Sequence, residues 1–189
     1  MFQAQRLLLL VLFVFTQYSL SAQETPPQDY GKMHPDAPAQ LKDYQEMIGL
    51  CSCKSVRRNA DGTWPDSVGM SWQFRYMLGG YGVQDESWKE DDTFSGSVRQ
   101  YNSDSSKWVV TYFSSGNPPI PSGFWTGAER EGDKIVLYRP QQAPNGMDGY
   151  SRLQFYDISE TGFKWIGEWV SQNESVVFPF WKINCKKLN

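Results

Sequence analysis

Ten short runs rich in aromatic and β-branched residues, each ended by a turn-forming cluster, fill positions 51–186 of the chain. They read CSCKSVRR, MSWQFRYML, GVQDESWK, FSGSVRQYN, KWVVTYFS, FWTGAERE, KIVLYRP, GYSRLQFYDI, GFKWIGEWVSQ and VVFPFWKINCK. Runs this short, punctuated this regularly, are strands rather than helices. The links at 59–62, 79–82, 102–106, 116–121, 131–133, 143–149 and 160–162 hold the Gly, Asn, Asp, Ser and Pro that tight turns demand. Consecutive strands joined by tight turns form a meander. A meander of ten strands either closes or leaves two edges bare, and bare edges in an aromatic sheet template aggregation. The expectation is therefore an all-β, antiparallel up-and-down barrel of about ten strands. An open sandwich is the alternative, because pattern alone does not report shear or tilt.

Upstream of the strands the chain changes character twice. Residues 1–22 carry Arg6, an apolar run from Leu7 to Phe15 and a small-residue stretch ending at Ala22, the layout of a secretory signal peptide. The apolar run is too short to span a bilayer, so stable membrane insertion is not expected and the mature chain is placed in a secreted or periplasmic setting. Residues 23–40 are dense in Pro and polar side chains and read as a flexible linker. The barrel domain is assigned to 41–189. It begins with one short N-terminal helix, in which Leu41, Tyr44, Met47 and Ile48 share a face and Gly49 ends the turn. Such a helix would plug one end of the barrel.

Without the leader, 17 basic and 21 acidic side chains remain, interspersed, for a net charge near −4. Nucleic acid is not an expected partner. Of the three cysteines, Cys51 and Cys53 stand at strand spacing and point the same way, so a direct bridge between them is disfavoured. If the first and last strands meet, Cys53 with Cys185 is the preferred disulfide, leaving one thiol. No metal site is assigned, since the only histidine, His34, falls in the linker and cannot complete a Cys ligand set. No cofactor is assigned. The same shortage of histidine removes Ser-His and Cys-His nucleophile pairs. A two-carboxylate hydrolase using Asp85 and Glu168 is the remaining enzymatic option, and it ranks below binding.

The stretches LCSCKSV, DGTWPDS, WQFRYMLGGYGVQDESW, SGSVRQYNSDSSKWVVTY, APNGMDGYSRLQFYDIS and FKWIGEWV resemble a family of secreted bacterial lipocalin-like (calycin-type) β-barrel proteins. The resemblance runs from Gly49 to Cys185 and implies a barrel without naming a ligand.

Mid-strand charges among aromatics, Asp85, Arg99, Arg152 and Glu168, are candidates for the lumen, where they would have to pair. The opposite reading sets them on the solvated outer wall; in YSRLQFYDI, alternation with Leu153 and Phe155 puts Arg152 outside. With them, Trp72, Tyr76, Tyr101, Trp108, Trp125 and Trp165 make up the candidate ligand-binding set. The expected function is a small-molecule-binding barrel holding an apolar or amphipathic ligand in an aromatic lumen. The alternative is a carbohydrate-binding accessory protein in which Trp64 and Trp88, beside turns, stack on glycans.

Overall fold

The computed structural model describes residues 31–90, 93–116 and 124–188. The expected signal peptide and the linker up to residue 30 lie outside the described residues. Ten strands follow one another: β1 Gly49–Arg57, β2 Val68–Met77, β3 Gly82–Lys89, β4 Phe94–Asn102, β5 Lys107–Ser114, β6 Trp125–Gly127, β7 Ile135–Pro140, β8 Gly149–Ser159, β9 Gly162–Ser171 and β10 Val177–Lys187. Each pairs antiparallel with its neighbours and β1 pairs with β10, so the sheet is a closed barrel. Closure leaves no unpaired edge strand among the described residues, and so no bare edge to template aggregation.

Alternation along each strand sets two faces. Cys51, Cys53 and Ser55 of β1, Met70, Trp72, Phe74 and Tyr76 of β2, and Phe163 and Trp165 of β9 are buried inside, while most of their neighbours in sequence are more exposed. The rings interlock. Trp72 lies 5.2 Å from Phe74, 5.5 Å from Phe163, 5.7 Å from Phe155 and 6.3 Å from Trp165, centroid to centroid. Each buried aromatic ring contributes about 2–3 kcal/mol of transfer free energy, so this cluster is a main source of stability.

One end is plugged by a 3-10 helix, Ala39–Met47, whose Leu41, Tyr44 and Met47 are buried. The i, i+3 spacing of those three suits three residues per turn, which is why the short helix tightens into this form and Ile48 falls just beyond it. Asp43 Oδ2 accepts both Trp108 Nε1 (2.9 Å) and the Arg130 backbone N–H (3.0 Å). The run FWTGAERE gives only the three-residue β6, because its partner β5 begins at Lys107, one residue beyond the Trp108–Gly127 pair. Gly127 closes the same seam, since a Cβ there would stand 2.1 Å from the Val136 carbonyl oxygen.

The described part of the expected linker is docked on the barrel. Met33 and Ala37 pack against the core, His34 stacks on Tyr81 at 4.7 Å, and its backbone N–H donates to the Gly80 carbonyl at 3.3 Å. Gly80, at φ 94°, allows this approach, because a Cβ would meet the His34 nitrogen at 2.2 Å. Residues 31–40 therefore correct the reading of a loose tether: apolar Met33 and Ala37 are spaced to reach the barrel although no regular periodicity announces them.

Candidate functional site

Strand ends define the open end of the barrel. β1 finishes there at Arg57 and β7 at Arg139 and Pro140, β8 and β10 begin there, and the plug lies at the opposite end, ahead of Gly49. Above the plug the lumen is nearly solid. Its internal cavity, walled by Met70, Trp72, Asp85, Ser97, Arg99 and Phe155 among others, has a volume of about 50 Å³, room for a water or two rather than an organic ligand.

Asp85 and Arg99 form an ion pair in that region, each side chain 3% exposed. Asp85 Oδ1 also accepts Trp72 Nε1 at 2.7 Å. The guanidinium carbon lies 5.1 Å from the rings of both Tyr44 and Phe74 and 5.7 Å from that of Phe155. The Arg99 Nη1–Asp85 Oδ2 contact lacks hydrogen-bond alignment, and Arg99 Nε has no partner among the described residues. Burial pushes the nearby Tyr44 phenol up to about 12, partly offset by the Arg99 charge.

Toward the open end the space widens into a cleft of about 350 Å³ lined by Arg57, Tyr112, Trp125, Arg139, Ser151 and Trp181, with Leu153, Trp165, Phe180 and Gln141. The volume falls in the range of small-molecule sites. Tyr112, Trp125, Leu153, Trp165 and Trp181 wall both the cleft and the cavity beneath it. Arg57 lies over Trp181 at 4.0 Å and Arg139 over Trp125 at 4.0 Å. Trp125 Nε1 donates to Ser151 Oγ at 3.3 Å and Trp181 Nε1 to Ser55 Oγ at 2.8 Å, which fixes both indoles. Arg139 Nη2 donates to Gln141 Oε1 at 3.1 Å. Partial burial lowers the Arg139 pKa from its usual value.

The candidate ligand-binding residues separate into four places. Trp125 and Trp165 line the cleft. Trp72, Asp85 and Arg99 line the small cavity below it. Tyr76 and Trp108 serve the plug, Tyr76 through its hydroxyl to the Leu41 carbonyl at 3.3 Å and Trp108 through Asp43. Tyr101 packs edge-on to Trp108 and donates to Glu129 Oε1 at 2.6 Å, at the plugged end. Arg152 and Glu168 face each other across β8 and β9 on the outer wall, since Leu153, Phe155 and Trp165 hold the inner face. Arg152 bonds Glu168 Oε2 at 2.8 Å and also meets Glu174, which accepts Tyr138 at 2.8 Å. The lumenal reading of Arg152 and Glu168 is thereby corrected, and Asp85 and Glu168, on opposite faces of the wall, make no hydrolytic pair. Trp64 and Trp88 are half-buried, and Lys182 Nζ covers the Trp64 ring at 4.2 Å.

Arg57, Tyr112, Arg139, Ser151, Phe180 and Trp181 were not singled out from sequence as ligand residues. The usable signal was positional: an arginine on the inward register at the last residues of a strand sits at the barrel mouth.

No model of a known protein family matches the sequence, and no curated protein matches it. Solved structures do. Rv2717c from M. tuberculosis superposes with a TM-score of 0.53 at 10% identity, covering 82% of this chain and 100% of that one. The S-type phycobiliprotein lyase CPES from Guillardia theta gives 0.51 at 7% identity over 77% of this chain and 90% of that one. By fold the chain is a lipocalin-like barrel.

Proposed function

We propose that this protein binds a small apolar or amphipathic molecule in the cleft at the open end of the barrel, in a secreted or periplasmic setting. The observation that carries the reading is the cleft itself: about 350 Å³ of space walled by three indoles and a phenol above an otherwise filled lumen. Exposed Phe94 and Phe178 at the starts of β4 and β10, with Phe124 and Met147 outside the strands, offer an apolar approach at that end. A neighbour in fold is named a phycobiliprotein lyase, which accords with ligand handling by barrels of this kind. A disulfide between Cys53 and Cys185 supports the oxidising compartment.

The test is fluorescence titration with N-phenyl-1-naphthylamine, a neutral apolar dye, on the wild type and on Ser151→Trp, which fills the cleft. One saturable site, with energy transfer from tryptophan, is expected in the wild type and loss of it in the variant. Unchanged dye binding by a folded Ser151→Trp protein would remove the cleft as the site.

A further inference from the structure

The polarity of the ligand can be read from the charges that face inward. Along the strands, among the described residues, Arg57 and Arg139 stand near the open end, and Arg99 lies deeper with Asp85. The whole chain carries a formal net charge of −3, so a cationic mouth runs against the balance of the protein. Asp85 is already engaged by Arg99 and Trp72, deep below. Among the described residues, neither Arg57 nor Arg139 is ion-paired with a carboxylate. Among the described residues, the side-chain acceptor of the partly buried Arg139 is the neutral Gln141 amide.

We infer that the ligand is an organic anion, an amphipath whose carboxylate, sulfonate or phosphate group is held between Arg57 and Arg139 while its apolar part lies against Trp125, Trp165 and Trp181. The inference rests on the cleft reading above and adds the sign of the ligand's charge. Two arginines spread on indole faces keep their in-plane N–H groups available for a charged acceptor, since ring stacking uses the guanidinium face and leaves its edge. Arg139 is partly buried, and a charge-assisted hydrogen bond there is stronger than at a fully open surface. A neutral ligand of the same shape would leave Arg139 without a charged acceptor.

The experiment compares two dyes that share their rings and differ in charge: 1-anilinonaphthalene-8-sulfonate, an anion, and N-phenyl-1-naphthylamine, its neutral counterpart. Wild type should bind the anion about tenfold more tightly at low ionic strength, with the preference shrinking several-fold at about 0.5 M salt. Arg57→Met with Arg139→Met should lose about tenfold in affinity for the sulfonate and change less than about twofold for the neutral dye. Near-ultraviolet circular dichroism checks that the variant keeps its packing. Arg57→Met alone, at an exposed position, provides the same readout at reduced size should the double variant not fold. Equal affinity of wild type for both dyes overturns the inference and leaves the cleft reading standing. A preference for the sulfonate that survives both substitutions likewise overturns it. Failure of both dyes to bind overturns the cleft reading and the inference with it.

Discussion

Asp85 and Arg99 meet as a diagonal pair, for Asp85 of β3 stands directly opposite Ser97 of β4 and reaches past it to the arginine. At 3% side-chain exposure each, neither charge has water to fall back on. Arg99→Met should therefore destabilise the barrel by about 3–5 kcal/mol, because it strands the Asp85 carboxylate. Adding Asp85→Asn should recover more than half of that loss, since the second charge is then gone and Trp72 keeps an acceptor. Urea unfolding of both single variants and the double gives the coupling. Additive losses would mean that the two groups do not act as a pair.

The plug depends on one oxygen. Asp43 Oδ2 holds Trp108 and the Arg130 amide at once, so Asp43→Ala should cost about 2–3 kcal/mol by leaving two donors without an acceptor. Asp43→Asn retains an amide oxygen able to accept both bonds and should cost less than half as much. Thermal melts followed by Trp fluorescence distinguish these cases. Equal losses in the two variants would show that the charge, through Arg130 and its neighbours, matters more than the acceptor.

Tyr44 makes stability depend on alkaline pH in a defined direction. Burial raises its pKa from 10.0 in the unfolded chain to about 12 in the fold. A group whose folded pKa is the higher one stabilises fully below the unfolded value and loses that contribution as pH rises through the folded value. Stability should thus fall between about pH 10 and 12, and Tyr44→Phe should flatten that part of the profile. Because the Tyr44 hydroxyl has no hydrogen-bond partner among the described residues, the same variant should cost less than about 1 kcal/mol near neutral pH. Unfolding titrations at a series of pH values read both outcomes; a steep alkaline loss persisting in Tyr44→Phe would assign it elsewhere.

How much of this was legible beforehand differs between fold and site. Strand positions followed from the alternation of residues such as Trp72, Phe74 and Tyr76 with Arg75 and Gln73, because a half-buried strand has one periodicity. β6 is shorter than the run FWTGAERE suggests, since its partner β5 begins one residue beyond the Trp108–Gly127 pair and a local pattern does not report where the neighbouring strand starts. The site was harder. Residues such as Trp108 and Trp125 are alike in type and strand context, yet the first serves the plug and the second the mouth. Height along the barrel depends on where each strand begins, which is set by register across the whole ring. Arg152 and Glu168 illustrate the other difficulty: a mid-strand charge tells one that a partner is needed, and a partner on the outer wall satisfies that need as well as one inside.

The cysteines allow a sharper statement about register. Cys53 and Cys185 are directly opposite in β1 and β10 and are bonded, so the bridge staples the two strands that close the barrel across a sequence separation of 132. A loop of that length gives about 4–5 kcal/mol in the chain-entropy treatment. Cys51, free and buried, is opposite Lys187 on the same inward face. In Cys53→Ser a bond between Cys51 and Cys185 would require β10 to slip by two residues, which keeps the inward and outward faces but pulls Trp181 away from Ser55, the hydroxyl its indole donates to. The expected outcome is no slip: Cys53→Ser should show two free thiols after denaturation without reductant, and a melting temperature well below that of wild type. The wild type should show one, at Cys51, and that thiol should resist alkylation in the native state because burial raises its pKa and blocks access. Mass spectrometry of alkylated protein counts the thiols. A disulfide between Cys51 and Cys185 in the variant would mean that the β1–β10 register is held by the bridge rather than by the packing of Trp181, Ile183 and their neighbours.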